Sequence, residues 1–405
     1  MKLRARLGVV ALVAACSSKS SSSTNAATTP PVDAAVESDV DASPIARKPV
    51  AGDDRYERAG PHPVGYTTFS ATDPTRTRTL RVSIWYPADD SARAAATTGT
   101  KTEELEPPGA DRDTLGKLIE KSPDGCTRKR TLVAIDAPPI AAGAIPLLAY
   151  SHCHGCTRWS SFSIAERLAS HGFAVIAPDH AGNTLYDHLA GHDAPLDGAT
   201  LAMRAADVRF TLDFALDAVT PSSLPPSLRG RFDQTKVGVL GHSFGAATTG
   251  AVLTLDARAK AGFAIAAPFE NALLPPTKMA DVHVPVFFLL AKEDNSISEI
   301  GNGLIRQNFK IGNPPLFLAE VEDAGHWSFS DLCALGGDSF TPGCGVAQRQ
   351  TDSIETFAYL DNDGARALAA SYAAAFFAGE LLDDADGKAF IAAAYPSDLV
   401  TLSKR

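Results

Sequence analysis

A short apolar run, Val237-Gly238-Val239-Leu240, passes without a spacer into Gly241-His242-Ser243-Phe244-Gly245, and Ala246 to Leu255 then continues as a small-residue helix. No other feature narrows the fold so much. A buried strand, a turn too tight for bulky neighbours and a helix must follow one another directly, as in a strand–turn–helix unit of a parallel sheet. Gly-x-Ser-x-Gly in that setting holds a serine on a strained turn with its hydroxyl exposed. The helix N-terminus behind the turn favours negative charge nearby. Ser243 is therefore the candidate nucleophile.

The flanking sequence fits the same sheet. Thr79 to Tyr86 alternates polar and apolar and stops at Pro87, as an early, partly exposed strand does. Buried strands are expected at Ile145–Ser151, Phe173–Ala177, Ala261–Ala267, Val284–Ala291 and Leu316–Val321, with helices at Ser160–His171, Leu201–Val219 and, interrupted near Asn362-Asp363-Gly364, Ile354–Leu382. This alternation predicts an α/β fold, a mostly parallel central sheet flanked by helices on both faces, in one domain over residues 55–400. Residues 88–130 are polar and punctuated by Pro and Gly, with one amphipathic helix near 111–121, and read as an insertion able to cap the site.

A serine hydroxyl needs a base to take its proton, and the base needs an acid to orient it. Downstream of Ser243 the histidines are His283 and His326. His283 precedes a strand and so falls at the wrong end of the sheet. His326 follows the last strand beside Gly325, which permits a tight loop, and is the candidate base. Asp294, just past the strand Val284–Ala291, is the candidate acid, with Glu270 as the alternative after the preceding strand and Glu293 expected to point away. Backbone donors for an oxyanion are expected from the amide of Phe244 and, in the loop Ser151-His152-Cys153-His154-Gly155-Cys156, from that of His154. His152 reads as a hydrogen-bonding support of that loop. His180, His188 and His192 lie among Asp179, Asp187 and Asp193 and read as a solvated acidic loop; no metal and no cofactor is expected.

The first residues describe where the protein goes. Lys2, Arg4 and Arg6 precede a short apolar stretch, Leu7 to Ala15, too short to span a bilayer but suited to an export signal. Val13-Ala14-Ala15-Cys16 resembles a bacterial lipobox, with Val13 where Leu is usual. The expectation is a signal peptide over residues 1–15, a lipidated Cys16 and a Ser/Ala/Pro-rich tether over 16–54 without apolar periodicity. Ser17 after the cysteine resembles an outer-membrane sorting signal, so an exported, lipid-anchored protein, outer-membrane and monomeric, is expected. A net charge of −10 without a basic cluster argues against nucleic acid as a partner. With Cys16 set aside, Cys333 and Cys344 close a short Gly-rich loop and are the expected disulfide, leaving one of Cys126, Cys153 and Cys156 unpaired.

Taken together, Gly60-Pro61-His62-Pro63-Val64-Gly65, Trp85-Tyr86-Pro87-Ala88, Ser151-His152, Leu168-Ala169-Ser170-His171-Gly172-Phe173, Ala177-Pro178-Asp179-His180, Gly182-Asn183-Thr184, Gly241–Gly245 and Gly325-His326-Trp327-Ser328-Phe329 resemble the α/β-hydrolase family of dienelactone-hydrolase-like proteins and secreted platelet-activating-factor acetylhydrolases. The likeness spans residues 60–380. It implies hydrolysis of small or short-chain acyl esters, lipid esters among them, by a Ser243–His326–Asp294 triad without metal. Cys153 departs from the glycine usual after the oxyanion-loop histidine. Acyl transfer on the same triad, and a surface binding protein without catalysis, are the alternative readings.

Overall fold

The computed structural model describes residues 55–141, 143–216, 224–337, 339–395 and 398–405. The leader peptide, Cys16 and the tether expected over residues 1–54 lie outside them.

Ten strands form one sheet: β1 (Val64–Asp73), β2 (Arg78–Pro87), β3 (Ala134–Ile135), β4 (Ile145–Ser151), β5 (Ala174–Pro178), β6 (Phe232–His242), β7 (Ala259–Ile265), β8 (Val286–Ala291), β9 (Leu316–Val321) and β10 (Val400–Lys404). Their spatial order is β10-β9-β8-β7-β6-β4-β5-β2-β1-β3. The run from β9 through β8, β7, β6 and β4 to β5 is parallel, and β2 and β10 pair antiparallel at its two sides. Side chains of a buried strand alternate between two covered faces, which is why the runs Leu147–Tyr150, Ala174–Ala177 and Val286–Ala291 are apolar throughout. Along β8, Phe287 and Leu289 enter one core with Leu148, Tyr150, Phe376 and Phe377, while Phe288 and Leu290 enter the other with Leu147, Val208 and Phe244.

Helices α2 (Phe162–Ser170) and α6 (Asn362–Leu382) cover the first face. Helices α3 (Gly198–Ala215), α4 (Phe244–Leu255) and α5 (Ser298–Ile311) cover the second. Helix α6 starts only at Asn362, where the Asp361 side chain caps it by accepting from the Gly364 amide at 2.8 Å. The expected helical stretch from Ile354 does not form, and Thr356–Ala358 are a short strand instead. No helix among the described residues is long and apolar enough to cross a membrane.

The polar segment between β2 and β3 carries helix α1 (Ala110–Lys121) and is tied down throughout. Leu105, Leu115 and Ile119 join the core on the α2/α6 face. Glu106 is buried against the equally buried Arg158, at 2.9 Å, and accepts from the Trp159 indole at 2.8 Å. Burial opposes ionisation of Glu106, but the Arg158 guanidinium outweighs it and holds the carboxyl below its usual range. Arg158 also bridges to Asp179, at 2.6 Å.

The expected Cys333–Cys344 disulfide is not formed. Cys344 pairs with Cys126, Cys153 pairs with Cys156, and Cys333 is a buried thiol. The reason is tertiary. Residues 122–127 of the insertion lie along the segment after His326, with the Thr127 hydroxyl donating to the Cys333 carbonyl at 2.6 Å and the Gly336 amide donating to Ser122 Oγ at 3.0 Å. This brings Cys126 to Cys344, a pairing that chain spacing does not reveal.

Candidate active site

Strand β6 ends at His242, and Ser243 caps helix α4 with φ +57°, ψ −122°, in the left-handed half of backbone space that side chains avoid. Such a conformation costs about 1–3 kcal/mol and persists only where the surroundings enforce it. Here they do. A Cβ on Gly245 would lie 1.9 Å from the carbonyl oxygen of Ser151 at the end of β4, and one on Gly241 would lie 2.2 Å from the Gly245 carbonyl. Both glycines are steric requirements of the turn, and Ser243 stands half-exposed at its apex.

The loops after β8 and β9 open at the same end of the sheet, where open α/β sheets gather their reactive groups. His326 Nδ1 lies 2.7 Å from Asp294 Oδ2, and both side chains are buried. The other Asp294 oxygen accepts from the Ser296 and Ile297 amides, each at 3.0 Å, so the carboxylate is fixed before it meets the imidazole. Around His326 the chain is braced by Ser328 Oγ, which accepts from the Gly325 amide and donates to the Gly343 carbonyl, both at 2.9 Å. The Trp327 ring stands edge-on to His326, 5.0 Å between centroids.

The alternative acids are engaged elsewhere. Glu270 accepts from Lys278 at 3.0 Å and from the Met279 amide at 2.9 Å, and those two bonds hold its carboxyl below the usual range. Glu293 turns away from His326 to Arg349 and the Gln350 amide, both at 2.9 Å. His283 sits before β8 beside Asn313, at the opposite end of the strand from Asp294.

The two amides expected to receive an oxyanion, those of Phe244 and His154, have no acceptor among the described residues, and the two rings lie 6.1 Å apart. The loop bearing His154 is held at its start by His152, whose Nδ1 bonds the Cys153 carbonyl at 2.7 Å and whose Nε2 accepts from the His180 amide at 3.0 Å. Burial keeps the His152 imidazole well below its usual range, hence neutral.

His180, His188 and His192 do not converge. His180 bonds Asp207 at 3.1 Å and Ser151 Oγ at 3.0 Å, whereas His188 pairs with Asp193. No group of three or more His, Cys, Asp or Glu able to hold a metal occurs among the described residues.

Sequence reasoning passed over two residues. His242, the variable residue of the motif, is buried, and its Nε2 lies 2.9 Å from the His326 carbonyl. Arg204 is fully buried in α3; its guanidinium donates to the His152 carbonyl and to Thr248, and lies over the Phe244 ring at 4.7 Å. Burial pushes it down to about 9. Its signal was an arginine on the apolar stripe of Leu201, Ala205 and Val208.

Two family models match this chain: the dienelactone hydrolase family over residues 151–332, and platelet-activating factor acetylhydrolase, isoform II, over residues 53–188. The first covers Ser243, Asp294 and His326. Over that segment the chain is similar to the dienelactone hydrolase family, and its fold is that of an α/β-hydrolase. A platelet-activating factor acetylhydrolase of Bos taurus is 29% identical over 152 residues, 30% of this chain, and the match spans 34% of the bovine protein. A ferulic acid esterase from Streptomyces cinnamoneus has a similar fold, with a TM-score of 0.58 and 24% identity over 85% of this chain and 93% of that one. The chain thus spans about a third of the bovine protein's length, and the likeness to the esterase bears on the fold.

Proposed function

We propose that this α/β-hydrolase cleaves small or short-chain acyl esters through an acyl-enzyme on Ser243. The observation that carries the reading is the buried His326–Asp294 bond at 2.7 Å beside a strained serine turn. His326 accepts the Ser243 proton as the hydroxyl oxygen attacks the acyl carbon, and Asp294 holds the imidazole in the tautomer that leaves Nε2 free to accept. The amides of Phe244 and His154 receive the negative charge that develops on the carbonyl oxygen. His326 then protonates the departing alcohol, and a water activated by the same imidazole releases the acid. The reading needs neither metal nor cofactor, and a monomer suffices for it.

The test is turnover of p-nitrophenyl acetate, butyrate and octanoate by residues 53–405 beside Ser243→Ala and Asp294→Asn. Loss of the serine should lower kcat by several orders of magnitude and loss of the carboxylate's charge by about 10⁴. Undiminished hydrolysis by Ser243→Ala would sink the proposal.

Export and anchoring through a lipid on Cys16, to the outer membrane, form part of the same proposal. The two disulfides suit an oxidising compartment. Palmitate labelling of the full chain that persists in Cys16→Ala would contradict it.

A further inference from the structure

We propose that the Cys153–Cys156 disulfide is a positioning element of the oxyanion loop, so that esterase activity depends on its remaining oxidised. The inference rests on the proposed role of the His154 amide.

The loop runs from the end of β4 at Ser151 to a clamp at Cys156. There the chain makes a one-residue parallel bridge with Thr184, and the Cys156 carbonyl accepts from the Leu185 amide at 2.7 Å. At the other end His152 and Arg204 hold the Cys153 and His152 carbonyls. Between these two fixed points no backbone amide of Cys153, His154 or Gly155 hydrogen-bonds another described residue. Gly155 has φ +62°, and a Cβ there would stand 3.3 Å from the His188 side chain, so the turn is also cramped.

A segment with a left-handed residue and no amide hydrogen bonds needs other restraints to orient the amide it carries. Three things restrict it, the first being the His152 Nδ1 bond to the Cys153 carbonyl, which shares one planar peptide unit with the His154 amide. The His154 ring reaches out to the Ala194 carbonyl at 2.9 Å, and the buried disulfide joins the residues on either side of His154–Gly155 across a sequence separation of 3. The ring contact fixes a side chain that several backbone orientations can serve. The disulfide fixes the path of the backbone itself. Oxyanion stabilisation depends on donors already aimed where charge will develop. On the His154 side the disulfide, together with the His152 bond to the Cys153 carbonyl, supplies that aim, as the Gly241 and Gly245 contacts do on the Phe244 side. Its reduction by a dithiol takes up two electrons and two protons, gives two thiols and leaves the dithiol as its own disulfide.

The test compares Cys153→Ser/Cys156→Ser with wild type on p-nitrophenyl acetate, alongside the rate of inactivation by a p-nitrophenyl phosphonate, which builds the same oxyanion. The expected result is a kcat lower by about 10–100-fold with KM nearly unchanged, in line with the loss or misplacement of one oxyanion donor. The phosphonylation rate should fall in parallel, and circular dichroism should report an intact fold. Wild-type kcat and phosphonylation in a folded double variant overturn the inference. Should that variant not fold, dithiothreitol treatment of a Cys126→Ser/Cys344→Ser background, with alkylation mapped by mass spectrometry, gives the same reading. Activity should then fall with reduction of Cys153 and Cys156 and return on reoxidation; full activity with both reduced overturns the proposal. Ser243→Ala separates the two levels. Turnover retained there removes the serine reading itself, whereas turnover lost there but undiminished in the double serine variant removes only the role of the disulfide.

Discussion

The imidazole of His242 reaches across the site to the backbone of His326: Nε2 lies 2.9 Å from its carbonyl oxygen and the rings stand 4.9 Å apart. The residue before Ser243 thus helps to hold the loop that carries His326. Burial keeps His242 well below its usual range, so at neutral pH the ring is uncharged and Nε2–H donates to that carbonyl. His242→Leu leaves the carbonyl buried without its partner, which should cost about 1–3 kcal/mol of stability. Because the loop carrying His326 shifts, kcat should fall more than KM rises. An unchanged kcat in a destabilised variant would show that the contact serves stability alone.

The two disulfides should separate by the property each affects. Cys126–Cys344 spans a sequence separation of 218 and closes a far longer loop than Cys153–Cys156. By loop-closure entropy the long link is worth about 5 kcal/mol and the short one about 2 kcal/mol. Cys126→Ser/Cys344→Ser is expected to lower Tm markedly while leaving kcat near the wild-type value at 25 °C. A melting temperature equal to wild type would contradict this reading of the long link.

Acid should weaken the fold well above the range where carboxylates titrate. Burial holds His180 down to about 3, and the nearby Arg204 charge adds to the effect. His171, His152 and His242 are also displaced downward by burial. In each case the unfolded chain takes up a proton near pH 6.5 that the folded protein refuses. Stability is therefore full above about pH 6.5 and is lost as pH falls towards the folded values, at up to about 1.4 kcal/mol per pH unit for each fully buried group. Asp207 adds to the loss only below about pH 4, because burial is outweighed there by hydrogen bonds from His180 and Arg78 that hold its carboxyl near about 2. Urea midpoints measured from pH 7 to pH 5 should decline steadily, and His180→Asn should flatten the slope. A flat profile would refute this.

What could be read from the sequence was what neighbouring residues dictate. The turn at Ser243, the strands before Asp294 and His326 and the glycines of the motif are local consequences of apolar runs and small residues, and the structure forms them where the pattern says. Strand β1 escaped because Thr67, Thr68, Ser70 and Thr72 make it look like a polar loop; its ten-residue register with β2 supplies the order. Strand β10 escaped as a short alternating tail whose pairing with β9 lies almost eighty residues away in the chain. Helix α5 leaves Ile300 exposed, which blurs its stripe. The cysteine pairing depends on the fold of the insertion, and no spacing rule reaches it.

The buried contact between Glu106 and Arg158 also bears on how such a chain can be remodelled. Segments between strands invite trimming when an enzyme is engineered for a wider mouth. Here the segment brings the carboxylate that, with Asp179, neutralises an arginine of the scaffold. Excising it alone strands part of a positive charge in the interior, a defect of several kcal/mol. A shortened version must replace Arg158 in the same step, so loop and scaffold behave as a single heritable unit.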